Sequence, residues 1–129
     1  MKRYGLIGKS LEHSFSKAYF SSYFGANKLD ASYENIEIQE IGQVRTILDA
    51  GFAGLNVTIP YKESILPFLD QLSAEAQQIG AVNVVQFKNG QLIGHNTDAY
   101  GFHQSIKPFL TNKHERAIVL GTGGASKAV

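Results

Sequence analysis

The stretch "GFAGLNVTIPYKESI", residues 51–65, decides how the rest of the chain is read. Val57 and Ile59 read as strand. Pro60 ends it, because proline donates no ladder hydrogen bond. Lys62 follows just past the strand end, as though presented to something. In open α/β sheets, ligands sit beyond the carboxyl ends of the strands. The stretch therefore raises two linked questions: whether the chain builds such a sheet, and what else lies at that edge.

Working outward, strands and helices alternate. Upstream, "RYGLIG" (3–8) is a short apolar strand ending in Gly8. "SFSKAYFSSYF" (14–24) has its aromatic residues near helical spacing, with Gly25 suited to stop the helix. "SYENIEI" (32–38) alternates as a strand does, and "EIGQVRTILDAG" (40–51) sets Ile41, Val44, Ile47 and Leu48 on one helical face. "GLNVTI" (54–59) is the strand of the opening stretch, and "YKESILPFL" starts as a short helix interrupted near Pro67. Downstream, "SAEAQQIG" (73–80) has Ser73 as an N-cap candidate. "AVNVVQFKNGQLIGHN" (81–96) is two runs around Asn89-Gly90, the strongest short hairpin signal. "TDAYGFHQSIKPFL" (97–110) is helical until Pro108 disfavours helix at Lys107. This alternation predicts an α/β fold: an open, mostly parallel sheet with one antiparallel hairpin strand and helices on both faces.

Composition narrows the function classes. A chain of 129 residues with 43% hydrophobic residues can bury a core of its own. Its 12 basic and 11 acidic residues leave no electrostatic footprint for nucleic acid. There is no cysteine, which excludes disulfides and thiolate chemistry. No apolar run approaches the roughly 20 residues that span a bilayer. The expectation is a soluble, cytoplasmic protein. The end, "ERAIVLGTGGASKAV", reads as a strand over 117–120, a glycine-rich turn and the first residues of a helix. A helix that short does not stand alone, so either another chain completes this element or, as we expect, the chain is a piece of a longer protein.

The carboxyl-edge rule gathers four polar sets into one crevice: Ser14 and Ser16; Asn56, Thr58 and Lys62; Asn83; Asp98. Hydroxyls, amides, one cation and one anion suit a small polyhydroxylated acid. A lysine beside an aspartate can exchange or polarise a proton at a reacting oxygen. Each residue alone also has a plainer role. Serine is a favoured N-cap, a lysine after a strand is usually solvated, and Asp98 fits the first turn of a helix. Asn83 could satisfy neighbouring backbone. The four histidines, His13, His95, His103 and His114, lack metal-ligand spacing, so no metal is expected. Tyr61 fits either packing or lining the crevice.

The motifs "HSFSK", "GLNVTIPYK", "GAVNVV" and "GHNTDAYGF", with "GTGGASKAV" behind them, resemble the shikimate dehydrogenase family in order and spacing. The resemblance covers essentially the whole chain. It implies a substrate domain over 1–110. Residues 111–129 would then be a linker plus the first strand and glycine turn of an NADP-binding Rossmann domain. The implied reaction is the NADPH-dependent reduction of 3-dehydroshikimate to shikimate, in the aromatic amino acid (chorismate) pathway. By the same resemblance, Ser14 and Ser16 hold the substrate carboxylate. Asn56, Thr58, Asn83 and Asp98 bind its hydroxyls, and Lys62 with Asp98 is catalytic. Gly121, Gly123, Gly124, Ala125 and Ser126 form the pyrophosphate turn; the residue that would select NADP over NAD lies beyond Val129. The family commonly has proline where this chain has Lys17, and glycine where it has Ala99. The partner implied is the small-molecule substrate, with no nucleic acid and no membrane, and homodimerisation is left open. Two rivals are a quinate/shikimate-type dehydrogenase and a non-catalytic binding module on the same fold. Retention of both Lys62 and Asp98 favours the enzyme.

Overall fold

In the computed structural model, which describes residues 1–129, six strands form one sheet. They are β1 (Lys2–Gly8), β2 (Ala31–Glu37), β3 (Gly54–Val57), β4 (Gln71–Leu72), β5 (Val84–Lys88) and β6 (Gln91–His95). The helices are α1 (Ser16–Ala26), α2 (Val44–Leu48), α3 (Ala74–Ile79), α4 (Asp98–Ile106) and α5 (Gly124–Ala128). Short 3-10 turns occupy Ile41–Gln43, Leu66–Phe68 and Lys107–Phe109. The strand order is β2-β1-β3-β5-β6-β4. Only β5 runs against the rest: it is antiparallel to β3 and β6, and the other pairs are parallel.

The strand period of two sorts the core onto two faces. Ile7, Leu55, Val57 and Val85 meet Val44 and Leu48 of α2, Ala76 of α3, and Tyr61 and Ile65. On the other face, Leu6 and Tyr33 join Leu11 and pack against Phe20 and Phe24 of α1. Helices therefore cover both faces of the sheet. Tyr61 is buried, and its hydroxyl donates to the Ile38 carbonyl, so it packs rather than lines a crevice.

The hairpin forms with Asn89 and Gly90 both at positive φ (52° and 76°), the signature of its two-residue turn. Ser73 caps α3, accepting from the Ala76 N–H at 3.1 Å. Four expectations are corrected. Helix α1 runs through Gly25 to Ala26, and the reversal falls on Lys28, at φ 52°. The strand expected over 54–59 ends at Val57, although the Thr58 N–H still donates to the Ile7 carbonyl at 2.8 Å. Residues 61–65 form turns rather than a helix, held by Tyr61 and Ile65 in the core. Residues 117–120 are not a strand: no neighbouring strand offers a ladder, and Ile118 and Leu120 are 87% and 92% exposed.

Candidate functional site

The topology explains why the polar sets meet. Strands β1, β3 and β6 are mutually parallel, so Gly8, Val57 and His95 end at one edge. Antiparallel β5 starts at that edge and brings Asn83 with it. Ser14 and Ser16 lie in the loop after β1 and at the start of α1, Lys62 in the turn after β3, and Asp98 at the start of α4. Ser14, Ser16, Asn56, Thr58, Lys62, Asn83 and Asp98 all line one cavity of about 460 Å³. A larger cavity, about 650 Å³, lies across the sheet face beside Tyr4, Gly54, Gln86 and His95. It shares Asn56 and is lined by Ser73, Glu75 and Thr97, but it holds none of Ser14, Ser16, Lys62 and Asp98 and so has no lysine–carboxylate pair.

At the centre, Lys62 Nζ donates to Asp98 Oδ2 at 2.6 Å, with the lysine side chain 12% exposed and the aspartate 30%. Asn83 Nδ2 donates to Asp98 Oδ1 at 2.9 Å and to Thr97 Oγ1 at 2.8 Å, while Asn83 Oδ1 accepts from the Thr97 N–H. The Asn83 amide is therefore committed to the 97–98 turn, and both Asp98 oxygens are engaged. A carboxylate fixed at both oxygens holds its lysine in one direction, toward the cavity.

Asn56 accepts from the Tyr33 hydroxyl at 2.7 Å and turns its Nδ2 toward the Asn83 carbonyl, 3.4 Å away. The Ser16 N–H donates to Ser14 Oγ at 3.3 Å, so Ser14 supports the first turn of α1 while keeping its own proton. Thr58 sets its methyl over Gly8, where a Cβ would stand only 2.8 Å from it. Lys17 and Ser14 together line a neighbouring cavity.

Two contributors were not singled out from sequence. Asn96 is buried; its Oδ1 accepts from the N–H groups of Asp98 and Ala99, and its Nδ2 donates to the Ala81 carbonyl at 3.0 Å. It does the capping that Thr97, the residue before α4, does not. An Asn two residues before the helix start is a recognisable turn signal. Tyr33, in mid-strand, gave no such signal.

The glycine turn lies beside this site. Gly121 has φ 131°, Gly123 precedes α5, and Gly124 approaches the Lys62 stem. Ser126 Oγ donates to the Gly123 carbonyl at 2.8 Å, and Lys127 Nζ pairs with Glu63 Oε2 at 2.6 Å. No group of three or more His, Asp or Glu side chains could hold a metal ion. His13 lines the cavity, and His95 hydrogen-bonds Gln86 Oε1. No helix is long and apolar enough to cross a membrane.

Comparison with known proteins agrees with this layout. Residues 6–85 match the family model described as the shikimate dehydrogenase substrate binding domain. The chain is 46% identical over 129 residues to shikimate dehydrogenase (NADP(+)) of Syntrophomonas wolfei, covering 97% of this chain and 44% of that protein. It is 40% identical over 130 residues to shikimate dehydrogenase (NADP(+)) of Pyrococcus abyssi, covering all of this chain and 49% of that one. Among solved structures, shikimate 5-dehydrogenase from Thermus thermophilus in complex with shikimate superposes with a TM-score of 0.88 at 39% identity, over 100% of this chain and 51% of that one. The chain spans about half the length of the curated relatives it matches. With a matched segment that runs from β1 to β5 and holds every proposed site residue of the crevice but Asp98, this chain belongs to the shikimate dehydrogenase substrate-binding domain family.

Proposed function

We propose that this chain is the substrate-binding part of a cytoplasmic, NADP-dependent shikimate dehydrogenase, which reversibly reduces 3-dehydroshikimate to shikimate in chorismate biosynthesis. The observation that carries the proposal is the Lys62–Asp98 pair, 2.6 Å apart inside a cavity otherwise lined by hydroxyls and amides. The near-balanced charge favours a small molecule over nucleic acid as partner. The two relatives' names specify NADP(+), and the Thermus thermophilus structure holds shikimate.

In this reading, Ser14 and Ser16 grip the substrate carboxylate at the α1 side of the crevice. Asn56, Thr58 and Asp98 take the ring hydroxyls, and Asn83 keeps Asp98 in place. Binding the far end of the ring fixes the reacting carbonyl beside Lys62. Lys62 Nζ donates a proton to that oxygen as its C–O bond is reduced, and is reprotonated from solvent. In the oxidising direction the same proton returns to the amine. Asp98 holds both the lysine and a neighbouring hydroxyl. The residues at the glycine turn suit a pyrophosphate: no side chain caps the first turn of α5, and Gly123 has open space around its missing Cβ. Gly121, Gly123, Gly124, Ala125 and Ser126 would hold that group. When bound, the nicotinamide supplies or accepts the hydride.

The test is steady-state kinetics of the full-length protein with shikimate and NADP. Lys62→Ala should lower kcat by at least about 100-fold, the low end of acid–base contributions, and change KM far less. Near-normal kcat in this variant would remove Lys62 from the chemistry. Quinate in place of shikimate, in the same assay, separates this reading from the quinate/shikimate-type alternative.

A further inference from the structure

We propose that Tyr33 is a positioning residue of the substrate site: its hydroxyl fixes the orientation of the Asn56 amide, so that Asn56 meets the ligand as a hydrogen-bond donor. The proposal rests on the functional reading above for its ligand, but not for its geometry.

Tyr33 sits in the middle of β2, 5% exposed, with its ring stacked on Phe20 at 4.7 Å between centroids. A buried phenol must find a partner. Here the partner is a cavity residue on another strand, Asn56. The direction of the bond follows from what surrounds the amide. The Asn83 backbone carbonyl beside Asn56 can only accept, so Asn56 Nδ2 faces it. Oδ1 then points at Tyr33, and since Oδ1 can only accept, the phenol must donate. The phenol has one proton, so its oxygen can only accept from elsewhere. The bond is therefore directed from Tyr33 to Asn56.

The bond joins a residue of β2 to a residue of β3 that lines the cavity. It leaves one Asn56 N–H proton unassigned, on the amide that lines the cavity. The ligand group it selects is an oxygen with a free lone pair, as on a ring hydroxyl, rather than an ammonium. Burial pushes the Tyr33 hydroxyl up to about 12, so the phenol keeps its donor proton at neutral pH. Phenylalanine at this position would preserve the stack and the packing but leave Asn56 Oδ1 without its donor and free to turn.

The test uses the full-length protein and the variants Tyr33→Phe, Asn56→Ala and the double variant. Tyr33→Phe should raise the KM for shikimate about tenfold with kcat within about threefold. In the Asn56→Ala background the same change should alter KM by less than about twofold, because there is no amide left to orient. An equal effect in both backgrounds, or a wild-type KM in Tyr33→Phe, overturns the positioning role. A second measurement is independent of turnover. In 15N-labelled protein, the Asn56 side-chain amide signals, assigned by their loss in Asn56→Ala, should shift in Tyr33→Phe while those of Asn27 stay put. Unshifted Asn56 signals overturn the proposal whatever the ligand. If Tyr33→Phe shifts these signals but the wild-type protein does not oxidise shikimate, the functional reading alone is overturned.

Discussion

Gly124 lies against the stem of Lys62: a Cβ built on the glycine would stand 2.7 Å from the Lys62 Cβ and 3.3 Å from the Ala81 Cβ. The turn proposed for the pyrophosphate and the lysine proposed for the proton are therefore in direct contact. Gly124→Ala should push the two apart. A displacement of about 1 Å near the chemistry can cost about 100-fold, so kcat/KM should fall by about 10- to 100-fold in the full-length enzyme. Shikimate affinity measured calorimetrically without NADP should weaken as well, since Lys62 itself is moved. Unchanged shikimate affinity would mean that the turn yields and the lysine does not.

Asn96 holds three backbone groups at once, the N–H groups of Asp98 and Ala99 and the carbonyl of Ala81. Asn96→Ala should destabilise the fold by about 2–3 kcal/mol, because buried backbone groups lose their partners. Asn96→Asp keeps the acceptor for the two N–H groups but sets a buried carboxylate oxygen against the Ala81 carbonyl, so it should cost at least as much. Urea unfolding midpoints check both variants; a wild-type midpoint in Asn96→Ala would show that these contacts contribute nothing.

The parts of this arrangement legible in sequence are those set by local chemistry. Asn89-Gly90 dictates a hairpin, Ser73 caps, apolar runs mark β1 and β5, and alternation marks β2. The motif order brought the seven cavity residues together on paper, because the carboxyl-edge rule depends only on strand direction. What escaped depends on neighbours far along the chain. Strand β4 is two residues long and exists only because β6 pairs with it. Residues 117–120 have strand-like composition but no adjacent strand. Gly25 reads as a stop, yet the helix continues one residue further and turns at Lys28, since nothing local forbids a helical glycine. Tyr33 matters through Asn56, 23 residues away, a relation no spacing rule reports.

Gly94 shows how tightly the β6 side is filled. An added methyl there would stand 2.7 Å from Leu69 Cδ1 and Val82 Cγ2 and 2.8 Å from Leu72 Cδ2. All three side chains would have to move together. Gly94→Ala should therefore destabilise by about 1–3 kcal/mol, the usual cost of overpacking. Thermal unfolding checks it; a melting temperature at or above wild type would mean the β4–β6 layer is looser than its distances.

Tyr33 also sets an alkaline limit. Its hydroxyl is raised by burial from an ordinary 10.0 to about 12 in the folded protein. The folded state therefore keeps a proton that the unfolded chain gives up. Its contribution is whole below pH 10 and is lost as the pH rises from about 10 to about 12. The wild-type melting temperature should fall more steeply over that window than that of Tyr33→Phe. Parallel declines would assign the alkaline loss to other groups.

Asp98 offers the sharpest test of the lysine pair. Its Oδ2 accepts from Lys62 at 2.6 Å and its Oδ1 from Asn83 at 2.9 Å. Asparagine has one acceptor oxygen and one donor nitrogen in those places. Whichever way it turns, an N–H group faces either the Lys62 ammonium or the Asn83 amide, donor against donor. The lysine then loses its fixed direction as well as its counter-charge. Asp98→Asn should lower kcat by at least about 100-fold in the full-length enzyme. Asp98 is partly exposed, so the fold should lose only about 1 kcal/mol. Asp98→Glu keeps two acceptors but carries them one methylene further, and should fall between wild type and Asp98→Asn. The measurement is kcat with shikimate and NADP for both variants, beside their urea midpoints. An Asp98→Asn enzyme within threefold of wild-type kcat would show that the lysine needs no carboxylate to hold it, and the assigned chemistry would have to run through another group.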